Sequence, residues 1–196
     1  MDTESRDYAD RLMSLEQVWW KRLLNVQAPY QWNLRRRKLG RTLEIGCGVG
    51  RNLATLPAGS IGVDHNGTSV EMARARGFKA MTVEEFFASD DSDLTSFDSL
   101  LLAHVIEHLS PAEGLALVQD YLPRLRAGGT VLFICPQERG FASDPTHVRW
   151  TTGEDLQFLA REVGLLPQRW RSFPFPRPVG RVFRYNEFNL LARKPE

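Results

Sequence analysis

After residue 40, short apolar runs alternate with longer segments whose apolar positions recur at helical spacing, the pattern of a parallel sheet covered by helices. Residues 42–45, 60–64, 79–83, 97–103 and 130–135 read as successive strands. Helices are expected over 69–76, ended by Gly77, and over 111–125, ended near Gly128-Gly129, because glycine readily takes the left-handed conformation that closes a helix. The last third changes character: 169–175 and 184–192 read as two strands around the proline-rich Pro174-Phe175-Pro176-Arg177-Pro178. Such a hairpin would close the sheet with an antiparallel strand. Residues 1–38 form an aromatic-rich helical segment (Trp19, Trp20, Tyr30, Trp32) with no strand signal, either an extra layer or a lid over a ligand, and 39–196 form the main domain.

Helix starts locate the most polar stretch of the chain. Ser110-Pro111-Ala112-Glu113 combines a capping serine, proline at the first helical position and glutamate three residues after the cap, so a helix begins at Pro111. His104-Val105-Ile106-Glu107-His108 therefore lies in the connection after the fourth strand, not on a helix face. Thr151-Thr152-Gly153-Glu154 repeats the capping spacing and leaves His147 in the connection after the fifth strand. Ligands of open α/β sheets bind at the carboxyl ends of the strands, so three of the four histidines and one glutamate are expected to converge there. A lone histidine in such a turn is ordinarily a hydrogen-bonded structural residue. Three with a carboxylate point to a metal site, or to a general base and its helper.

Charge narrows the partners. The 196 residues include 25 Lys+Arg and 24 Asp+Glu, a formal net charge of +1, which argues against long nucleic acid and against a membrane surface. The one dense basic cluster, Arg35-Arg36-Arg37-Lys38, reads as a solvated helix end, with Arg169, Arg171, Arg177, Arg181 and Arg184 scattered in the tail. No apolar run approaches the roughly 20 residues of a membrane span. The polar start Met1-Asp2-Thr3-Glu4 does not resemble a secretory signal, so a cytoplasmic protein is expected. Cys47 and Cys135 have neither metal-finger spacing nor a disulfide framework.

The most specific stretch is Leu43-Glu44-Ile45-Gly46-Cys47-Gly48-Val49-Gly50, a glycine turn directly after a strand, followed about twenty residues on by Asp64 at the next strand end. A glycine turn alone is shared with dinucleotide binders. With Glu44 before it and Gly62-Val63-Asp64 after it, the stretch closely resembles the first two motifs of the class I S-adenosylmethionine-dependent methyltransferases. That resemblance spans about 40–192 and implies a Rossmann-like α/β fold: a mostly parallel sheet of seven strands, one antiparallel, flanked by helices. It also implies S-adenosylmethionine as cofactor, with Glu44, Gly46, Cys47 and Gly48 at its methionine end and Asp64 on the ribose hydroxyls. His65, Val83, Glu84 and Ala103 complete the implied cofactor contacts.

Within that family, His104, Glu107, His108 and His147-Val148-Arg149-Trp150-Thr151 resemble the elements with which a metal-dependent O-methyltransferase subset holds a divalent cation; His104 stands where that subset has glutamate. The resemblance implies metal ligation by His104, Glu107, His108 and His147, with Glu107, His108 and His147 catalytic and Tyr30, Trp32 and Asp144 facing the acceptor. Three imidazoles and one carboxylate form a softer, less negative site than two of each, which shifts preference from Mg²⁺ toward Mn²⁺. As a whole the chain resembles actinobacterial sugar O-methyltransferases, of the type that methylates the 1-OH of a methylated mannose acceptor. The implied activity is methyl transfer to a hydroxyl of a small diol-bearing carbohydrate by a monomer or homodimer. A metal-free enzyme using a histidine base, or a small-RNA terminal ribose 2'-O-methyltransferase, are the alternatives.

Overall fold

The computed structural model describes residues 27–196 other than Leu94; Trp19 and Trp20, with most of the expected N-terminal helical segment, lie outside the described residues. The chain divides into two compact units, Met1–Asp91 and Ser92–Glu196. Among the described residues no helix is long and apolar enough to cross a membrane.

In the first unit α1 (Ala28–Arg36) precedes three parallel strands, β1 (Thr42–Ile45), β2 (Ile61–Asp64) and β3 (Ala80–Thr82), with β2 in the middle. Every residue of β1 and β2 is buried, which is why both lack the alternation of a half-exposed strand. Between β2 and β3 runs α2 (Gly67–Ala75), which starts at Gly67 rather than at residue 69 because Asn66 caps it, its Oδ1 accepting the Ser69 N–H at 3.1 Å. α3 (Val83–Phe87) follows β3 at once, its start fixed by a reciprocal capping box between Thr82 and Glu85. Gly62, in the middle of β2, has no room for a side chain: a Cβ there would lie 2.6 Å from Cys47 Sγ and 2.7 Å from a Leu53 methyl. Cys47 and Leu53 pack with Val70, Ala73 and Ala80 behind the glycine loop.

The second unit contains β4 (Phe97–Ala103), α4 (Pro111–Tyr121), β5 (Leu125–Pro136), α5 (Glu138–Phe141), α6 (Gly153–Glu162), β6 (Leu166–Pro167), β7 (Arg171–Phe173) and β8 (Glu187–Arg193). β4 and β5 are parallel; β8 is antiparallel to β5, β6 and β7. The expected C-terminal hairpin is thus present as β7 and β8. The described strands number eight rather than seven, because the two-residue β6 is too short to show any pattern. α4 ends at Tyr121 instead of running to residue 125: Pro123 lacks the N–H a helix needs, and a 3-10 turn over Leu122–Arg124 replaces it. The capping box of α6 is Thr152 with Asp155, one residue later than the spacing suggested. That of α4 is Ser110 with Glu113, as expected. The chain has the expected α/β plan, mostly parallel strands flanked by helices with one antiparallel region.

Antiparallel β8 begins where the parallel strands of its unit end. Its first residue, Glu187, pairs with Pro136 at the end of β5, so a residue far along the chain joins the two connections that follow β4 and β5.

Gly62→Ala is expected to destabilise the protein by about 1–3 kcal/mol, the usual cost of overpacking a filled core. Urea unfolding monitored by circular dichroism checks this as a lowered midpoint at unchanged slope.

Candidate active site

The glycine loop folds because its glycines take backbone angles other residues avoid: φ is +74° at Gly46, +51° at Gly48 and +79° at Gly50. Gly46 and Cys47 donate their N–H groups to the Val63 carbonyl at 2.8 and 3.1 Å, locking the turn to β2. Asp64, at the end of β2, accepts the Gly48 N–H on Oδ2 at 2.7 Å and the Asn66 N–H on Oδ1 at 2.9 Å. Loop and acid are therefore one unit. His65 is half-exposed, its Nδ1 3.5 Å from Asp64 Oδ1. Val83 and Glu84 open α3 beyond β3, Glu84 exposed. Ala103 ends β4 in the second unit.

Glu44 is buried, with 1 % of its surface exposed. Its Oε1 accepts the Asn52 amide at 2.7 Å, while Oε2 has no hydrogen-bond partner among the described residues. Burial pushes its carboxyl up to about 8; the Asn52 hydrogen bond opposes the rise and the Asp64 charge adds to it. Burial, reinforced by Glu44 and Asp64, likewise keeps the Cys47 thiol protonated.

In the second unit, His104 follows β4 with φ +60°, a left-handed conformation uncommon for a non-glycine residue, and its N–H bonds the Ile134 carbonyl of β5 at 2.8 Å. The left-handed turn lets a 3-10 turn over Ile106–His108 double back across the strand ends. The Glu107 carbonyl accepts the N–H groups of Val148 and Arg149 at 2.9 and 3.1 Å. This backbone clasp ties the connection after β4 to the one after β5 and brings His147 to Glu107.

The structure thus gathers Glu107, His108 and His147, with ligand-capable atoms all within 4.8 Å of one another. Both imidazoles are pre-set. His108 Nδ1 lies 3.1 Å from the Thr146 carbonyl and His147 Nδ1 lies 2.7 Å from the Phe141 carbonyl. Carbonyl oxygen only accepts, so Nδ1 carries a proton in each ring, and the neutral tautomer set by this contact is the one with its lone pair on Nε2, the form that binds a cation. Burial lowers the pKa of His108, which favours its neutral state. Phe141 stacks on His147, ring centroids 5.2 Å apart at 17°.

His104 falls outside this cluster. Its Nδ1 lies 3.2 Å from Glu107 Oε1 and its Nε2 lies 3.0 Å from Glu187 Oε1, so both nitrogens are engaged by carboxylates. Desolvation works against its charge, but the two glutamates outweigh it and hold the imidazole at about 10. Burial alone would raise the Glu107 carboxyl; the hydrogen bond and charge of His104 hold it below the ordinary value instead. The Cys135 thiol donates to the other oxygen, Oε2, at 3.4 Å. Asp144 accepts the Thr146 N–H and hydroxyl on Oδ1 at 3.0 and 2.8 Å, shaping the turn whose carbonyl holds His108. Tyr30 and Trp32 lie on α1 in the first unit, Trp32 exposed with Arg36 over its ring.

Glu187 and Cys135 were not foreseen. Both are strand residues without a motif, and only the pairing of β5 with β8 brings Glu187 to His104.

Glu44 sets a pH dependence. Its folded-state pKa is raised above the unfolded value of 4.5 to about 8, so its contribution to stability is full below 4.5 and is lost as pH rises through 8. The slope across that window approaches about 1.4 kcal/mol per pH unit. Glu44→Gln is expected to flatten this loss, checked by unfolding midpoints of both proteins from pH 5 to pH 9.

Residues 43–133 match a family model described as a methyltransferase domain. No curated protein matches the chain. Among solved structures, a SAM-dependent methyltransferase from Archaeoglobus fulgidus is 18% identical with a TM-score of 0.64, the match covering 88% of this chain and 99% of that one. Magnesium protoporphyrin IX methyltransferase from Synechocystis PCC 6803, with bound SAH, is 15% identical with a TM-score of 0.65, covering 98% of this chain and 96% of that one. Residues 43–133, which hold the glycine loop, Asp64 and Glu107, thus resemble a methyltransferase domain, and the chain shares the fold of the S-adenosylmethionine-dependent methyltransferases it matches.

Proposed function

We propose that the chain transfers the methyl group of S-adenosylmethionine to a hydroxyl of a small acceptor bearing two neighbouring oxygens, a sugar by resemblance, with the help of a divalent cation. The observation that carries this reading is the cluster of Glu107, His108 and His147, with both histidines tied through Nδ1 to backbone carbonyls. One carboxylate and two imidazoles fit a first-row transition ion better than Mg²⁺, which favours oxygen ligands. When bound, the cation supplies a Lewis acid that lowers the pKa of an acceptor hydroxyl and offsets the charge on its oxygen.

The rest falls to the chain's own residues. Asp64, held by the Gly48 and Asn66 N–H groups, offers the cofactor's ribose diol two carboxylate oxygens. Glu44 Oε2, buried and without a hydrogen-bond partner among the described residues, suits the ammonium group at the cofactor's methionine end. With Nδ1–H of both histidines tied to backbone carbonyls and Nε2 given to the cation, the proton that the acceptor hydroxyl gives up leaves to solvent. In the transfer, the acceptor oxygen bonds to the methyl carbon as the carbon–sulfur bond breaks, and the sulfonium becomes a neutral thioether. His104 acts as a positioning residue rather than a ligand, holding Glu107 from one side while Glu187 anchors it from the other.

A second reading, a metal-free enzyme with His108 as its base, draws on the lowered pKa of His108. The two differ in their response to chelation.

With EDTA, turnover on a panel of sugar and catechol acceptors is expected to vanish while S-adenosylhomocysteine still binds in calorimetry, and Mn²⁺ should restore activity better than Mg²⁺. Turnover indifferent to chelator, with a pH profile set by a single histidine, would establish the second reading instead. His147→Ala is expected to abolish Mn²⁺ binding, whereas His104→Ala should weaken it by about 10–100-fold, the usual effect of losing a group that orients a ligand. Mn²⁺ titrations by electron paramagnetic resonance check both.

A further inference from the structure

Positive charge in the second unit is segregated. Between Val163 and Asn186 stand five arginines, Arg169, Arg171, Arg177, Arg181 and Arg184, and no acidic residue. Arg177 is committed to a two-pronged ion pair with Glu138 and covers the Phe188 ring at 4.8 Å. The other four are exposed and form no ion pair among the described residues, although the charge of Arg181 also helps to lower the Glu138 carboxyl.

Arg181 and Arg184 flank a series of rings. Phe175 meets Phe183 edge to face at 5.2 Å, and Phe183 meets Tyr185 the same way at 5.8 Å. Phe175 is 47% and Tyr185 43% exposed. The Arg184 guanidinium lies over Tyr185, 5.8 Å from its centroid. Guanidinium groups beside partly exposed rings can recognise an oxyanion attached to a ring or sugar, the fork binding the anion and the aromatic ring covering the apolar surface next to it.

The loop is also built to stay in place beside the histidine cluster. Gly140 in α5 lacks a side chain where the Arg184 carbonyl passes: a Cβ there would lie 2.5 Å from that oxygen. The next residue, Phe141, stacks on His147 and accepts its Nδ1–H. One short helix therefore bears the loop and supports the histidine. Inside the loop, the Asn186 amide donates to Gln137 Oε1, Ser172 Oγ and the Phe175 carbonyl at 2.9, 3.0 and 3.2 Å, while Gln137 donates to Ser172 Oγ at 2.8 Å. A buried amide network of this kind holds a binding surface in one geometry.

We infer that the loop of residues 175–185 is the acceptor wall of the transfer site and that the acceptor carries a phosphate ester, taken by Arg181 and Arg184. This rests on the reading above, that Glu107, His108 and His147 present the acceptor's oxygens through a cation.

Calorimetric titration of the full chain with ribose and with ribose 5-phosphate, in the presence of Mn²⁺, tests it, the double variant below separating the phosphate from the furanose ring that it imposes. Ribose 5-phosphate is expected to bind about tenfold tighter or more. The double variant Arg181→Ala, Arg184→Ala should erase that difference while S-adenosylhomocysteine and Mn²⁺ bind as before. Equal binding of the two sugars, or a preference that survives in the double variant, overturns the inference. So does tighter binding of a single-stranded RNA oligonucleotide or of phosphatidylglycerol vesicles than of ribose 5-phosphate, since the loop would then serve a polymer or a lipid surface. Repeating the titrations on His147→Ala separates the two layers: a phosphate preference retained there sustains the loop assignment, and unchanged binding of unphosphorylated ribose there counts only against the cation.

Discussion

A carboxylate buried as completely as Glu107, with 1 % of its surface exposed, must be compensated, because an unpaired charge in a protein interior costs several kcal/mol. The strand ends of the second unit are organised around that compensation. His104 at the end of β4 reaches one oxygen of Glu107, and Cys135 near the end of β5 reaches the other. Glu187 at the start of β8 balances His104 from behind. The backbone carbonyl of Glu107 gathers Val148 and Arg149, so side chain and main chain of Glu107 together join four segments. The unusual backbone of His104 follows from this arrangement: an extended residue there would carry the chain on past the strand ends instead of turning it back across them.

The parts of this arrangement that depend on local chemistry were legible in the sequence. β1 and β4 have the bounds their apolar runs suggested, and the Ser110 cap correctly moved residues 104–108 off the helix and into a connection. Offsets arose where two capping residues competed: Asn66 captured the start of α2, and Thr152 displaced Thr151 at α6. What local pattern could not convey was register. His104 and Glu187 are 83 residues apart, and they meet only because β8 runs antiparallel to β5 and starts where β5 stops. The family resemblance implied His104 as a ligand beside Glu107, His108 and His147. In three dimensions both of its nitrogens are taken up by carboxylates, a role that a left-handed residue three positions before Glu107 can fill and that no one-dimensional spacing encodes. The aromatic segment around Trp19 and Trp20 stays outside the described residues.

Two glutamates show how environment, not residue type, divides the chemistry. Glu44 and Glu107 are both 1 % exposed, and each sits where a parallel strand ends or has just ended. Glu44 has one neutral donor, Asn52, and a like charge at Asp64, so burial wins and its carboxyl is pushed up to about 8. Glu107 has an imidazole held positive between two carboxylates, so the same burial loses and its carboxyl stays below the ordinary value. Environments that push equivalent groups apart in this way assign them different tasks. An acid that is costly to ionise and keeps one oxygen without a hydrogen-bond partner gains most from a ligand that brings its own positive charge, as the methionine end of the proposed cofactor would. A carboxylate already ionised and oriented by a neighbour needs no such help, and in the proposed reading it would share a cation with the two imidazoles. His104, by holding its charge between Glu107 and Glu187, separates the second case from the first.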